Sequence, residues 1–160
     1  MMFRVLFVCL GNICRSPMAH GAFEALVEKR QCSESIRVDS CGTSAHHVGE
    51  APDPTMTRVA LEQGIDLKSL RSRRLSDSDF YDFDLLVAMD RAHEADILAR
   101  RPGDSQAEVL RFMSFVPGAD SDDVPDPWWD GRIEGFEEVC SLVQRGVQPL
   151  LEHVLGLQSR

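Results

Sequence analysis

Phe3-Arg4-Val5-Leu6-Phe7-Val8 runs straight into Cys9-Leu10-Gly11-Asn12-Ile13-Cys14-Arg15-Ser16-Pro17, and this junction decides the fold. The first six residues are almost continuously apolar and rich in β-branched and aromatic side chains. That is the pattern of a strand buried on both faces, as in a parallel sheet. Ser16 and Pro17 then supply an N-cap and a proline at the first helical position. Met18, Ala19, Ala22, Phe23, Leu26 and Val27 recur at three- and four-residue spacing, which predicts a helix to about Arg30. Strand, tight loop and helix start form a geometry that turns backbone N–H groups toward an anion.

The alternation continues down the chain. Ile36 to Ser40, Phe83 to Met89 and Glu108 to Phe112 read as three further strands. Cys41 to Thr55, with Gly42, Gly49, Pro52 and Pro54, reads as a long loop. Asp53-Pro54 opens a helix that Gly64 ends, with Met56, Val59, Ala60 and Leu61 on its buried side. A basic turn spans Lys68 to Arg74, and a short helix follows from Ser76 to Phe80. Asp90 to Arg100 is helical and is stopped by Pro102-Gly103. Val116 to Asp130 is loop. The last helix carries Phe136, Val139, Cys140, Val143, Val147, Leu150, Leu151 and Val154 on one stripe, with a kink or weak turn predicted at Gly146 and Pro149. Strands alternating with helices predict an α/β fold with a parallel sheet, whose ligands bind at the carboxyl ends of the strands.

The 160 residues suit one domain with a single core, and the formal net charge is −9. An acidic chain lacks the counterion-releasing contacts of a nucleic acid binder and does not suit an anionic membrane surface. The five cysteines are odd in number and form no C-x-x-C pair, so neither a disulfide scaffold nor a zinc site is expected. Reduced thiols in a cytoplasmic protein are the simpler account. The N-terminal apolar run is short and closed by Asn12 and Arg15, so neither a signal peptide nor a membrane helix is expected.

A lone cysteine at a strand end is usually core. The neighbours of Cys9 change that reading. Gly11 permits close backbone approach, Asn12 tolerates a left-handed conformation, Ser16 is placed to hydrogen-bond the sulfur, and Arg15 adds a fixed positive charge. Such settings favour the nucleophilic thiolate. Arg15, at the mouth of the same loop, is suited to grip two phosphoryl oxygens in bidentate fashion.

Cys9-(x)5-Arg15-Ser16 matches the phosphate loop of cysteine-based phosphatases, and the fuller string CLGNICRSP resembles the low-molecular-weight protein tyrosine phosphatases. Val38-Asp39-Ser40, with Val48-Gly49 through Asp53-Pro54, resembles that family's next block, and Asp126-Pro127-Trp128-Trp129 resembles its acid loop. The resemblance spans nearly the whole chain. It implies a single domain over residues 1–160 and a three-layer, doubly wound α/β fold: a four-stranded parallel sheet in flavodoxin-like order 2-1-3-4 with helices on both faces. It also implies hydrolysis of phosphotyrosine monoesters without metal or cofactor. Cys9 would be the nucleophile, Arg15 the phosphate clamp and Asp126 the general acid and base. Leu10, Gly11, Asn12, Ile13, Cys14 and Ser16 would form the phosphate loop, with Ser40 in a supporting network with Asn12 and Ser16. Asp120, Asp122 and Asp123 are rivals for the acid in a flexible stretch, whereas Asp126 is stiffened by Pro125 and Pro127.

Further details follow from the resemblance. Trp128 and Trp129 stand where the family often has tyrosines, and they read as a ligand wall. Ile13 replaces the threonine of a related protein-arginine phosphatase branch, which favours a flat phenyl ring. His46-His47 occupies the place of a rim aromatic, and His46 is the residue expected to stack on the substrate. Ser69 and Leu70 stand where a histidine often braces the loop asparagine, so the Asn12–Ser16–Ser40 network must be braced otherwise. The family's second loop cysteine pairs with the nucleophile on oxidation, which makes Cys14 the candidate redox partner of Cys9. The expected partner is a phosphotyrosine-containing protein, an autophosphorylating tyrosine kinase being the family-level example. Two alternatives stay open. Arsenate reductase chemistry needs outer cysteines in a paired arrangement, which Cys32, Cys41 and Cys140 do not form in the sequence. A non-catalytic oxyanion-binding module would not need Cys9, Arg15 and Asp126 together.

Overall fold

The apolar run folds as strand β1, Phe3–Cys9, at the centre of the computed structural model, which describes residues 1–160. It pairs in parallel with β2 (Ile36–Gly42) on one side and β3 (Leu85–Ala88) on the other, and β3 pairs in parallel with β4 (Glu108–Arg111). The sheet order is therefore β2-β1-β3-β4. The helices are α1 (Arg15–Lys29), α2 (Pro54–Glu62), α3 (Asp79–Asp82), α4 (Arg91–Arg100) and α5 (Ile133–Gln158).

Because successive side chains of a strand point to opposite faces, β1 feeds two cores. Val5, Phe7 and Cys9 join the larger one, with Met18 and Phe23 of α1 and the Phe136-to-Val154 stripe of α5. Leu6 and Val8 join the smaller one, with Phe80 of α3 and Ile97 of α4. Phe7 is fully buried, with its ring edge-on to Phe23 (5.7 Å between centroids) and Phe112 (6.4 Å). A side chain of this size is worth about 1.5–3 kcal/mol when buried. All four strands run the same way, so their carboxyl ends share one edge. Cys9 lies opposite Gly42 there, and the β1–β3 boundary is where the strand order reverses.

Three local expectations are corrected. Helix α1 begins at Arg15, two residues earlier than Ser16-Pro17 predicts, with Cys14 as its N-cap and no side-chain cap. Pro17 is then the third helical residue, still within the first turn, where a missing N–H breaks no helical bond. β2 extends through Cys41 and Gly42, both buried, so the following loop begins only at Thr43. Helix α5 runs unbroken through Pro149, whose lost bond leaves only the carbonyl of exposed Arg145 without its helical partner. Gly146 is required by packing: a Cβ there would meet Phe112 Cζ at 2.5 Å. No helix is long and apolar enough to cross a membrane.

Candidate active site

The loop from Leu10 to Cys14 leaves the carboxyl end of β1 and turns directly into α1. Asn12 makes the turn with φ 57°, in the left-handed region that Asn tolerates better than most residues. Gly42 lets β2 pass close beneath: a Cβ there would lie 2.5 Å from the Leu10 carbonyl oxygen. The backbone N–H groups of Leu10, Gly11, Ile13, Cys14, Arg15 and Ser16 donate to no acceptor in the protein, while that of Asn12 points to Cys9 Sγ at 3.3 Å. Buried amides are otherwise almost always paired. A row of free donors at the uncapped start of a helix is an oxyanion cradle.

Side chains beneath the loop hold this shape. Ser16 Oγ lies 3.0 Å from Cys9 Sγ and accepts from Asn12 Nδ2 at 2.8 Å. Asn12 Nδ2 also donates to Ser40 Oγ at 3.0 Å, and Asn12 Oδ1 accepts from the Arg73 backbone N–H at 3.0 Å. Ser40 Oγ is 3.0 Å from Nδ1 of buried His20, whose Nε2 is 3.6 Å from Glu24 Oε2. Ser72 Oγ donates to the Gly11 carbonyl at 2.9 Å. The bracing expected of a histidine near Ser69 and Leu70 is thus supplied by His20 from α1 and by Ser72 and Arg73 from the basic turn. The His20–Ser40 contact crosses from helix to strand and left no local signal in the sequence.

Arg15 is buried to 6% side-chain exposure and is anchored through one of its two terminal nitrogens. Its Nη1 donates to Asp90 Oδ2 and to the Val124 carbonyl, both at 3.0 Å, and its Nη2 lies 3.7 Å from Asp126 Oδ2. Asp90 is the N-cap of α4, with Oδ1 accepting from the His93 N–H at 2.8 Å. It was missed as a site residue, although its place at the carboxyl end of β3 marks it as a ligand-edge position. His93 Nδ1 is 3.1 Å from Asp90 Oδ1 but off the hydrogen-bonding direction, and it has no partner. Burial first, and then the Arg15 guanidinium, push the His93 imidazole down to about 4.

A cavity of about 120 Å³ opens above the loop, lined by Cys9, Leu10, Gly11, Ile13, Cys14 and Arg15 from below and by Asp126 and Trp128 from the far side. Ser44, His46 and His47 complete its wall. Asn12, Ser16 and Ser40 lie beneath this surface. Trp129 is 89% exposed and does not line the cavity, so only one of the two tryptophans forms the wall. His47, rather than His46, makes the aromatic contact: its ring stands edge-to-face with Trp128 at 5.6 Å, and Nδ1 is held by Glu50 Oε2 at 2.7 Å. Asp126 Oδ1 accepts from the Trp128 N–H at 3.0 Å, which tightens the loop on itself. Burial, with the charge of Asp53 next, holds the Cys14 thiol well above its ordinary range. Cys32, Cys41 and Cys140 lie away from the cavity.

The profile of the "Low molecular weight phosphotyrosine protein phosphatase" family matches residues 4–158. The chain is similar to the low molecular weight protein-tyrosine-phosphatase YfkJ of Bacillus subtilis, 36% identical over 96% of each chain. It is 45% identical to the low molecular weight phosphotyrosine protein phosphatase of Schizosaccharomyces pombe, over 83% of this chain and 85% of the relative. Among solved structures, the protein tyrosine phosphatase of Entamoeba histolytica superposes with a TM-score of 0.92 at 31% identity, covering 98% of this chain and 99% of that one. The doubly wound fold, with its phosphate-sized hollow at the end of β1, therefore marks a member of the low-molecular-weight protein tyrosine phosphatase family, and the chain belongs to it.

Proposed function

We propose that residues 1–160 act as a single phosphatase domain that hydrolyses phosphotyrosine monoesters in proteins through a phosphocysteine intermediate. The observation that carries this reading is the set of six unpartnered amides surrounding Cys9, closed by Arg15 and faced by Asp126. The phosphate dianion sits on the amides and on the guanidinium. Cys9 Sγ, approached by the Asn12 N–H at 3.3 Å and the Ser16 hydroxyl at 3.0 Å, attacks phosphorus as a thiolate. The P–O ester bond breaks, and the Asp126 carboxyl gives its proton to the departing phenolate oxygen. In the second step, Asp126 takes a proton from water as that water attacks phosphorus. The P–S bond breaks, Cys9 returns as thiolate, and inorganic phosphate leaves. The amides and Arg15 act most strongly on the equatorial oxygens of each transition state.

Ile13 and the edge-on His47–Trp128 pair give the cavity an apolar wall that fits a phenyl ring. A guanidinium would leave hydrogen-bond donors against that wall. The outer cysteines that an arsenate-reducing relay needs are not beside the cavity: only Cys9 and Cys14 line it.

Turnover of p-nitrophenyl phosphate, with vanadate as inhibitor and a chelator present, tests the reaction. Cys9→Ser should lose activity by roughly three orders of magnitude or more. Near-wild-type turnover of that variant would reject the nucleophile. Phosphotyrosine and phosphoarginine peptides compared side by side test the substrate: a higher kcat/KM for phosphoarginine would reverse the assignment.

A further inference from the structure

The general acid proposed for this site sits on a loop with no secondary structure, from Val116 to Asp130, yet it must be held within a fraction of an ångström of the leaving oxygen. Three residues before Asp126, the Asp123 carboxylate reaches the first turn of α4. Its Oδ1 accepts from the Arg91 backbone N–H at 2.9 Å and from Arg91 Nε at 3.3 Å, and its Oδ2 accepts from Arg91 Nη2 at 3.3 Å. The next residue, Val124, is fully buried. Its N–H donates to the Met89 carbonyl at 2.9 Å, and its own carbonyl accepts from Arg15 Nη1 at 3.0 Å. Asp122 is tied separately to Arg111 Nη1 at 3.1 Å.

The start of α4 therefore serves two parts of the site. Its N-cap, Asp90, grips Arg15 through Oδ2. Its first free amide, on Arg91, receives Asp123. A carboxylate on a helix N-terminal N–H gains from both the charged hydrogen bond and the helix dipole. Of the three rivals of Asp126 in sequence, Asp122 and Asp123 are spent on these tethers, Asp120 does not line the cavity, and Asp126 faces it.

We propose that Asp123 is a positioning residue for catalysis: by docking on the Arg91 amide it sets the acid loop in the same frame as the Arg15 clamp and so places the Asp126 carboxyl over the leaving oxygen. This rests on Asp126 being the general acid. The backbone amide, more than the exposed Arg91 guanidinium, is the anchor, because exposed ion pairs contribute little.

The test compares kcat/KM for p-nitrophenyl phosphate, whose leaving group needs little protonation, with that for phenyl phosphate, whose leaving group needs much. Asp126→Asn is the reference and should lose far more on phenyl phosphate; absence of that selectivity would refute the acid reading itself. Given that selectivity, Asp123→Ala should lose about tenfold on phenyl phosphate and under about twofold on p-nitrophenyl phosphate, with vanadate inhibition unchanged. Asp123→Asn, which keeps an acceptor for the amide, and Arg91→Ala, which keeps both the amide and Asp123, should each retain most of the wild-type kcat/KM on phenyl phosphate. Adding Asp123→Ala to Asp126→Asn should cost nothing further. The proposal is overturned by equal losses on the two esters, by weakened vanadate binding, by a further loss in the double variant, or by unaltered kinetics.

Discussion

Arg15 Nη2 and Asp126 Oδ2 stand 3.7 Å apart across the cavity, bringing two loops far apart in sequence to one point. The Arg15 side chain does not swing into this position from solvent. Asp90 and the Val124 carbonyl hold Nη1, so the plane of the guanidinium is fixed before a phosphate arrives. Lysine has one compact ammonium and cannot keep these anchors while also offering two parallel donors. Arg15→Lys should lower kcat/KM by roughly 10²–10³-fold and weaken vanadate inhibition in parallel. A variant that retains vanadate affinity would show that Arg15 does not bind the oxyanion.

The Ser40 hydroxyl links His20 on α1 to Asn12 under the loop. Ser40→Ala leaves both partners short of a hydrogen bond in a buried place, at a cost of about 1–3 kcal/mol. Urea unfolding should register that loss, and kcat/KM should fall because the Asn12 turn is no longer pinned. His20→Leu should weaken the cradle in the same direction. Wild-type stability and kinetics in both variants would show that the network is not a brace.

His93 is neutral in the folded protein because its imidazole is pushed down to about 4, against an ordinary value of 6.5. As pH falls through that interval, the unfolded chain takes a proton that the folded chain refuses. Stability is therefore level above pH 6.5 with respect to this group and drops below it, by on the order of 1 kcal/mol per pH unit until about pH 4. Urea midpoints at pH 7, 6 and 5 should fall less steeply for His93→Gln than for wild type. Parallel slopes would count against the buried neutral histidine.

Two glycines separate packing from chemistry. Gly146→Ala drives a methyl group into the Phe112 ring, away from the cavity, and should cost about 1–3 kcal/mol of stability with kcat/KM unchanged. Gly42→Ala pushes on the Leu10 carbonyl and the Asn12 amide, which are backbone and cannot rotate away. It should lower stability and activity together. Full activity in a folded Gly42→Ala protein would show that the loop does not need this close approach.

Cys9 and Cys14 line the same cavity as free thiols, and the family resemblance implies a redox pairing between them. That implied pairing predicts that peroxide takes Cys9 to a sulfenic acid and that attack by Cys14 then forms the disulfide and releases water. After mild peroxide, a dithiol should restore activity to wild type and not to Cys14→Ala. Equal recovery would remove Cys14 from this role.

How far the sequence is legible depends on the range of the interaction. The sheet could be anticipated because each strand announces itself in its own few residues, and the meeting of Cys9, Arg15 and Asp126 at one cavity because the residues around each resemble a family's loops. The start of α1 was misplaced for a reason tied to function. Ser16 has the chemistry of an N-cap, but its hydroxyl is taken by Cys9 and Asn12, and the helix begins before it with its amides left open. Asp90 and His20 were not legible as site residues, and of the His46-His47 pair the resemblance pointed to His46 rather than His47. Arg15 is brought to Asp90 and Ser40 to His20 by strand register and helix packing, which no local pattern encodes.

The left-handed bend at Asn12 is fastened on every side by the protein's own hydrogen bonds. Such a cradle is blind to whatever lies beyond the phosphate it holds. Discrimination among targets must then be written on the surrounding lip, where Leu10, His46, His47 and Trp128 meet solvent. A descendant of this enzyme could exchange that lip and acquire a new clientele while running the same reaction.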